Sequence, residues 1–297
     1  LSSDDQGERS VNRPMSVLLV IAALLSSVSA MAQGTLDRIR ERGEIRIGYR
    51  TDARPLSFEE NGAAAGYSVD LCKRVAAGIG EQLSMPAMKA TYVKVTTDNR
   101  FDALVRGDID IECGATTITL GRLERVDFTL MTFVTGGTFL SKAESRIGGA
   151  DDLAGKRVAV SRGTSTATAL QAYLRENSVD ARVVEVDDRD AGMARLQRGD
   201  VDALAGDQIV LLGNALAALE ANKDANFSFG DELFSYEPYG FMVRRNDADF
   251  RLAVNRELAE IFRDGDQAQI YQNWVGSNGV KPSPMLIAMY LVQGLSE

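Results

Sequence analysis

Apolar and polar residues alternate along the chain with two different periods, and these periods predict alternating strands and helices. Residues 45–49 (IRIGY) and residues 90–95 (ATYVKV) predict strands. Residues 68–80 place their aliphatic side chains on one helical face and end in glycine, and residues 99–106 predict a second, shorter helix. This order of strands and helices is typical of an α/β protein.

One segment of the first part of the chain has a similar copy in the second part, which we call the echo. Residues 101–114 read FDALVRGDIDIECG, and residues 193–206 read MARLQRGDVDALAG. Each predicts a short helix, a Gly-Asp turn, a brief apolar strand and a glycine at the end of that strand. Residues 156–161 likewise echo residues 44–49. An Arg-Gly-Asp turn alone is common by chance, but the shared flanking pattern indicates two lobes of the same α/β type.

The echo predicts where a ligand would bind. Ligands of open α/β sheets bind beyond the carboxyl ends of the strands. The ends are followed by residues 115–117 in the first lobe and by Asp207 and Gln208 in the second. We expect these two rims to face each other across a cleft, as in a clamp.

Two extended runs predict that the chain crosses between the lobes twice. Residues 131–140 are apolar and contain Gly136 and Gly137, and residues 238–243 form a second run after the second lobe. The paired glycines suit either a hinge or a β-bulge, and the sequence leaves both open.

The last helices are expected to return to the first lobe. Residues 249–262 and 266–275 have helical patterns, and the proline-containing tail from Gly276 is expected to lie along the surface. The predicted boundaries are residues 34–135 with 240–297 for lobe 1, and residues 136–239 for lobe 2.

The N-terminal residues have the pattern of a signal peptide. An apolar run at residues 17–25 follows Arg9 and Arg13, and Ala30-Met31-Ala32 is an A-x-A cleavage pattern. The run is about half the length that a membrane-spanning helix needs. We interpret residues 1–33 as an upstream extension and a signal peptide, and we expect export to the periplasm.

Composition and charge exclude several classes of function. The chain has 297 residues, enough for two cores, and a formal net charge of −9, which disfavours nucleic-acid binding. It contains no histidine, so histidine-dependent nucleophilic catalysis and the commonest transition-metal ligand are excluded. It also has no phosphate-binding loop motif. We expect no cofactor and no metal.

The two cysteines, Cys72 and Cys113, have no zinc-site spacing. An oxidising compartment would allow one disulfide between them. Cysteine is also a common small buried residue, and we favour this second interpretation.

Hydroxyl-rich segments follow both rims. Thr116 and Thr117 precede Arg122, and hydroxyls, free N–H groups and an arginine at a helix start suit a carboxylate. Residues 161–166 (SRGTST) also open a helix and could cap an anion from the opposite lobe. Ordinary helix caps and a surface arginine are equally simple explanations.

Further charged residues lie beside the predicted strand ends. Arg50 ends the first strand and Arg100 opens a short helix, although either could be a solvated arginine. Asp207 could accept hydrogen bonds from an ammonium group, or it could cap the following helix.

Taken together, these segments resemble the periplasmic glutamate/aspartate-binding proteins, which are family 3 solute-binding components of ABC importers. The resemblance extends from about Thr35 to Trp274. It implies a two-lobed α/β clamp of the type II periplasmic-binding-protein class, with two open mixed sheets joined by two crossing strands. It also implies a membrane permease as partner and a monomeric protein. The resemblance is carried by GYR (48–50), GYSVDLC (66–72), TTDNR (96–100), DIECGATT (110–117), GRLERVDFT (121–129), SRGTST (161–166) and EPYGFMVRR (237–245).

The resemblance also implies roles for individual residues. Arg122, assisted by Thr117 and Thr164, would hold the α-carboxylate of the ligand. Asp207 and the carbonyl group of Ala115 would receive the α-ammonium group. The side-chain carboxylate would be bound by residues of the first lobe, namely Arg50, Thr97 and Arg100.

Two positions depart from the family pattern. Ala115 replaces a serine that is frequent in the family, which changes little if only the carbonyl is used. Relatives can carry a histidine near Arg189, and this arginine could either replace it or point into solvent. Three arginines and Asp207 sum to +2, against −1 for an acidic amino acid.

Three alternatives remain open at the level of the sequence. Relatives include cyclohexadienyl dehydratases, and Glu112, Glu185 and Glu237 are available carboxylates for such an enzyme. A binder of a neutral or basic amino acid would need Arg50 and Arg100 outside the pocket. A signalling module that senses an amino acid is the third alternative.

Overall fold

The structure is a computed structural model that describes Ser2 and residues 33–296. From Gly34 onward the chain forms one compact unit. The predicted signal peptide, residues 15–32, lies outside the described residues. Among the described residues, no helix combines the length and the apolar character needed to cross a membrane.

The described residues form alternating strands and helices, as the sequence pattern predicts. The strands are β1 (Glu44–Arg50), β2 (Asp52–Ala53), β3 (Ser57–Glu60), β4 (Ala63–Ala65), β5 (Lys89–Val95), β6 (Ile111–Glu112), β7 (Val126–Lys142), β8 (Arg157–Ser161), β9 (Arg182–Val186), β10 (Ala203–Asp207), β11 (Phe227–Phe229) and β12 (Ser235–Arg244). The helices are α1 (Thr35–Arg42), α2 (Tyr67–Gln82), α3 (Arg100–Arg106), α4 (Leu120–Leu123), α5 (Ser165–Glu176), α6 (Arg189–Arg198), α7 (Gln208–Ala221), α8 (Ala248–Asp264), α9 (Asp266–Trp274) and α10 (Pro284–Gln293).

Nine strands form one mixed sheet in the order β5-β1-β6-β12-β7-β10-β8-β9, with β11 also paired to β7. Strands β5, β1 and β6 are parallel, and so are β10, β8 and β9. The two expected sheets are therefore continuous through the long strands β7 and β12. We call the elements at residues 34–125 and 245–296 the first half, and those at residues 143–234 the second half.

The predicted repeat is confirmed in both halves. Helices α3 and α6 each end at a left-handed glycine, Gly107 (φ 80°) and Gly199 (φ 77°). After each turn an aspartate accepts a backbone N–H of the neighbouring strand. Arg46 N on β1 donates to Asp110 Oδ2 (2.9 Å), and Arg157 N on β8 donates to Asp202 Oδ2 (2.7 Å). The same local chemistry thus fixes strand β6 in one half and β10 in the other.

The crossing strands β7 and β12 pair antiparallel along most of their length. The register shifts beside Gly240, so the bulge lies there and not at Gly136 and Gly137. A Cβ atom on Gly136 would lie 2.5 Å from the carbonyl oxygen of Ser235. The paired glycines are therefore explained by the close approach of β12.

The C-terminal tail differs from the prediction that it lies along the surface. Residues 284–293 form helix α10, which buries Leu286, Met289 and Tyr290 in the core of the first half. The Gln293 side chain bonds both backbone groups of Met131 on β7, donating to its carbonyl (2.9 Å) and accepting its N–H (2.8 Å). The apolar run PMLIAMYL supplies the buried face, and the two prolines only set where the helix begins.

The expected burial of the cysteines is confirmed, but they are paired and not free thiols. Cys72 on α2 and Cys113, just after β6, form a disulfide with a Cα–Cα distance of 6.3 Å. Both are also buried, so burial and pairing are compatible here. Spacing in the sequence could not reveal this proximity, because it depends on how α2 packs against β6.

Trp274, the single tryptophan of the chain, lies where the halves approach each other. Its indole N–H donates to Asp70 (2.6 Å), and its ring meets Phe58 edge-on with centroids 5.6 Å apart. Gly213 and Leu216 of α7, in the second half, line a cavity of about 150 Å³ together with Trp274.

Candidate functional site

Arg50 occupies the carboxyl end of β1 and is almost completely buried. Its Nη2 donates to Asp52 Oδ1 (2.6 Å) and to Thr97 Oγ1 (2.6 Å), and its Nε has no hydrogen-bond partner in the described structure. Burial lowers the pKa of Arg50, and the nearby Asp52 carboxylate opposes that effect. A buried guanidinium with an unused donor is suited to bind an anion.

Arg100 begins helix α3 and is also buried, beside Thr97. Its Nη1 donates to the Thr97 carbonyl oxygen (2.6 Å), its guanidinium lies 5.0 Å from the Phe101 ring centroid, and its Nε is unpartnered. Within residues 33–296 no carboxylate oxygen lies within 4.0 Å of its nitrogens. Burial, reinforced by the charge of Arg50, lowers the pKa of Arg100 to about 9, which leaves it charged at neutral pH.

Arg122 and Thr117 lie together at the rim of the first half. Arg122 Nη1 donates to the Thr117 carbonyl oxygen (2.7 Å), and Thr119 Oγ1 caps the short helix α4 that carries Arg122. Ala115 is buried in the segment just before them. Arg122 is half-buried, and burial lowers its pKa although Glu237 and Asp207 oppose this.

Asp207 ends strand β10 and is buried. Its side chain does not cap helix α7, so the helix-cap explanation is wrong. The carboxylate instead accepts hydrogen bonds from the hydroxyls of Thr166 and Tyr239. Strand β12 and helix α5 thereby fix the Asp207 carboxylate at the rim of the second half.

Arg189 begins helix α6 and points into the protein, not into solvent. Its guanidinium lies 3.6 Å from Asp52 in the first half and 3.6 Å from Asp207 in the second, and Nη1 makes no hydrogen bond in the described structure. Burial lowers the pKa of Arg189, but the two aspartates outweigh burial and raise it overall. Asp52 thus joins Arg50 to Arg189 across the boundary between the halves.

Thr164 is the N-cap residue of helix α5. Its Oγ1 accepts the N–H of Ala167 (3.1 Å) and donates to the Ser161 carbonyl oxygen (2.7 Å). Helix α5 therefore begins at Ser165, whose hydroxyl contacts Thr117 Oγ1 across the boundary (2.9 Å). The positive end of the α5 dipole consequently faces the rim of the first half.

Two further buried carboxylates lie beside the arginines. The net charge of +2 that was predicted for three arginines and Asp207 therefore leaves out two ionisable groups of the site. Glu112 accepts from Thr116 Oγ1 (3.0 Å), and Glu237 accepts from Thr117 Oγ1 (2.6 Å). Burial raises the pKa of both groups. Glu185, by contrast, is exposed on β9 and lies away from this cluster.

The site thus gathers the nine predicted residues in three groups. Arg50, Thr97 and Arg100 form the first, and Ala115, Thr117 and Arg122 lie along the rim of the same half. The second half contributes the remaining three predicted residues: Thr164, Arg189 and Asp207. The three predicted arginines of the first half are buried or half-buried, and their charges influence one another.

The sequence prediction missed Asp52 as a member of this cluster. The available signal was that Asp52 follows Arg50 by two residues and begins the next strand. Its second partner, Arg189, is distant in the chain. Unpartnered buried atoms concentrate here, on Arg50, Asp52, Arg100, Glu112, Ser161 and Arg189. Among the described residues, no group of acidic or cysteine side chains is arranged to hold a metal ion. The arrangement is suited to bind a small zwitterion with additional negative charge.

Comparisons with known proteins agree with this fold. The sequence profile of the bacterial extracellular solute-binding proteins, family 3, matches residues 45–277. The L-glutamate/L-aspartate-binding protein of Pseudomonas aeruginosa is 33% identical over 259 residues, covering 86% of this chain and 85% of that protein. The glutamate/aspartate import solute-binding protein of Salmonella typhimurium is 29% identical over 244 residues, covering 82% and 80%.

A solved structure shows the same fold. An ancestral arginine-binding protein bound to arginine is 31% identical to this chain, with a TM-score of 0.69 over 79% of this chain and 99% of that one. These matches confirm both the family resemblance and the predicted α/β clamp. The chain therefore belongs to the bacterial extracellular solute-binding proteins, family 3.

Proposed function

We propose that this protein binds an acidic amino acid, glutamate or aspartate, between two lobes and delivers it to the permease of an ABC importer. In this proposal lobe 1 comprises residues 34–135 and 240–297, and lobe 2 comprises residues 136–239. The protein acts as a monomer, without cofactor, in the periplasm after removal of its signal peptide.

The observation that carries the proposal is the incomplete pairing of the buried arginines. Arg50 and Arg189 already approach Asp52, whereas Arg100 has no carboxylate within 4.0 Å among the described residues. An unpaired buried cation is unfavourable, so an anionic ligand group beside Arg100 would be strongly favoured. A side-chain carboxylate meets this requirement, and the side-chain amide of glutamine does not.

The backbone groups of the ligand would use the facing rims. Arg122 and the start of helix α5, with Thr164 and the backbone N–H of Thr117, would bind the α-carboxylate. Asp207 and the Ala115 carbonyl would receive the α-ammonium. The side-chain carboxylate would meet Arg100, Arg50 and Thr97, with Arg189 closing over it.

Charge also distinguishes an acidic amino acid from the ligands of some similar proteins. The Pseudomonas relative is named for glutamate and aspartate, whereas the ancestral structure holds arginine. A cationic side chain would meet like charge at Arg50, Arg100 and Arg189, which disfavours a basic ligand. Micromolar affinity corresponds to about −8 kcal/mol, which a ligand of about ten heavy atoms can reach.

Ligand-free protein, prepared by unfolding and refolding, should be screened against the common amino acids by thermal shift. Binding to the folded state raises the melting temperature by mass action, and we expect the largest increases with glutamate or aspartate.

In calorimetry, Arg100→Ala should weaken glutamate binding by about 30-fold or more, since it removes one side of a buried charge pair. Arg122→Ala should abolish binding of every amino acid.

Arg106→Ala is the matched control, because Arg106 is exposed on the same helix as Arg100. A preference for glutamine over glutamate, or unchanged glutamate affinity in Arg100→Ala, would reject acidic specificity.

The burial of Glu112 and Glu237 beside the arginines favours one enzymatic alternative, because burial raises the pKa of both carboxyls and a carboxyl with a raised pKa is suited to general acid–base catalysis. Incubation with prephenate tests it. We expect no aromatic product by ultraviolet absorbance. Product formation that is lost in Glu112→Gln or Glu237→Gln would establish a dehydratase instead.

A further inference from the structure

Glu237 lies where the two halves and both crossing strands meet. It is buried on β12, and its carboxylate accepts hydroxyl hydrogen bonds from Thr117 (2.6 Å), Ser165 (2.7 Å) and Ser235 (2.7 Å). Ser235 Oγ in turn accepts the backbone N–H of Gly137 on β7 (3.1 Å). One carboxylate therefore connects the rim of the first half, the start of α5 in the second half, and β7.

These contacts determine the direction of the Thr117 hydroxyl. A hydroxyl has one proton and two lone pairs, and an ionised carboxylate can only accept hydrogen bonds. The Thr117 proton therefore points to Glu237, and the Ser165 proton is used by the same carboxylate. Only the lone pairs of Thr117 Oγ1 remain for a ligand, so this group is an acceptor.

An acceptor at this position suits an ammonium group and not a carboxylate, because an ammonium group has three protons to donate. Asp207, the second acceptor at the rims, is near enough for its charge to act on Glu237. The charges of Asp207 and Glu237 also act on Arg122, which bonds the Thr117 carbonyl. Thr117 thus contacts Glu237 through its hydroxyl and Arg122 through its carbonyl, and the charge of Asp207 acts on both of these partners.

We propose that Glu237 is a positioning residue for the α-ammonium group of the ligand. It acts through Thr117, whose hydroxyl it turns into an acceptor, and it does not contact the ligand. This inference rests on the proposed function to the extent that the ligand is an α-amino acid bound between the rims.

The test compares L-glutamate with glutarate, which has the same two carboxylates but no ammonium group. Glu237→Gln keeps the size of the side chain but removes its negative charge, and its amide N–H₂ lies either beside Thr117 and Ser165, which share Oε2, or beside Ser235, which contacts Oε1. In the first orientation the Thr117 proton turns towards the ligand. In both orientations the ligand's ammonium group loses the negative charge behind the Thr117 acceptor. Isothermal titration calorimetry should show about a tenfold loss of glutamate affinity and less than about a threefold change for glutarate.

Three variants serve as controls. Glu185→Gln makes the same chemical change at an exposed site on β9 and should alter neither affinity. Ser165→Ala removes a bond across the halves but leaves the bond between Thr117 and Glu237, so it should weaken both ligands alike. If Glu237→Gln does not fold, as judged by circular dichroism, Thr117→Val removes the acceptor directly and should show the same selective loss of glutamate.

Equal losses for glutamate and glutarate in both Glu237→Gln and Thr117→Val would overturn the inference, and so would unchanged glutamate affinity. If the wild-type protein prefers L-arginine, the proposal of acidic specificity is rejected, but the role of Glu237 is not. Glu237 is then tested with L-arginine and 5-guanidinopentanoate, its analogue without the amino group, and the same selective loss is expected. A wild-type protein that binds no amino acid would overturn both proposals.

Discussion

Buried charged residues of the site differ in how many partners the protein itself supplies. Arg50 donates to Asp52 and Thr97, whereas Glu112 accepts only one hydrogen bond, from Thr116, and its Oε1 has no partner in the described structure. An unsatisfied buried carboxylate oxygen is costly, so Glu112 retains its proton more readily than a solvated glutamate. Arg100 and Arg50 reduce this effect without reversing it.

Glu112 makes the stability of the folded protein depend on pH. Because the folded protein holds the Glu112 proton to a higher pH than the unfolded chain, its stabilising contribution is complete below the ordinary pKa of 4.5. That contribution is lost as the pH rises through the raised pKa of the folded state. Between pH 4.5 and pH 8, the free energy of unfolding of Glu112→Gln should therefore increase relative to that of the wild type.

Urea denaturation of ligand-free protein at several pH values measures this difference. Glu185→Gln, at an exposed site, should stay within about 0.5 kcal/mol of the wild type throughout. A relative loss of stability in Glu112→Gln at pH 8 would show that Glu112 is held ionised by the arginines.

At the scale of the element, the repeated turn shows how one local design is used twice. In both halves a left-handed glycine ends a helix, and an aspartate then fixes the following strand to its neighbour. The two copies differ in burial. The Asp110 side chain is fully buried and also pairs with Arg42, whereas Asp202 is partly exposed and pairs with Arg157.

We expect Asp110→Ala to cost about 2–3 kcal/mol of unfolding free energy, because it leaves the Arg46 N–H and the Arg42 guanidinium without their charged partner. Asp202→Ala should cost about 1 kcal/mol, since water can replace its exposed contacts. Chemical denaturation with an unchanged m-value would measure both losses. Asp108→Ala, exposed in the same turn, is the control, and equal losses for Asp110→Ala and Asp202→Ala would contradict the role of burial.

Elements formed by local periodicity were predictable, and those that depend on distant packing were not. The alternating pattern identified β1, α2, β5 and α3 to within a few residues. The apolar tail could not be assigned, because its partner, Met131, lies 162 residues away from Gln293. For the same reason Asp52 was not assigned to the site, and Glu237 was assigned only to the enzymatic alternative: Glu237 and its partner Thr117 are 120 residues apart.

At the scale of the whole molecule, the disulfide closes a loop of 41 residues within the first half. Cys113 lies two residues before Ala115, so the bond ties the rim of the first half to helix α2. Such a loop limits the conformations of the unfolded chain, and longer loops have larger effects.

Reduction of the disulfide should lower the free energy of unfolding by about 4 kcal/mol. Thermal unfolding with and without dithiothreitol would show this as a lower melting temperature. A variant with both Cys72→Ala and Cys113→Ala should unfold at the same temperature in either condition. An equal effect of dithiothreitol on this variant would show that the reductant acts elsewhere.

The position of Trp274 gives the protein an intrinsic optical probe. The indole belongs to the first half, and the cavity beside it is bordered by α7 of the second half. Separation of the halves would bring water to the ring and move its emission to longer wavelength. Because no other tryptophan contributes to the spectrum, clamp motion can be followed in solution without attaching a dye.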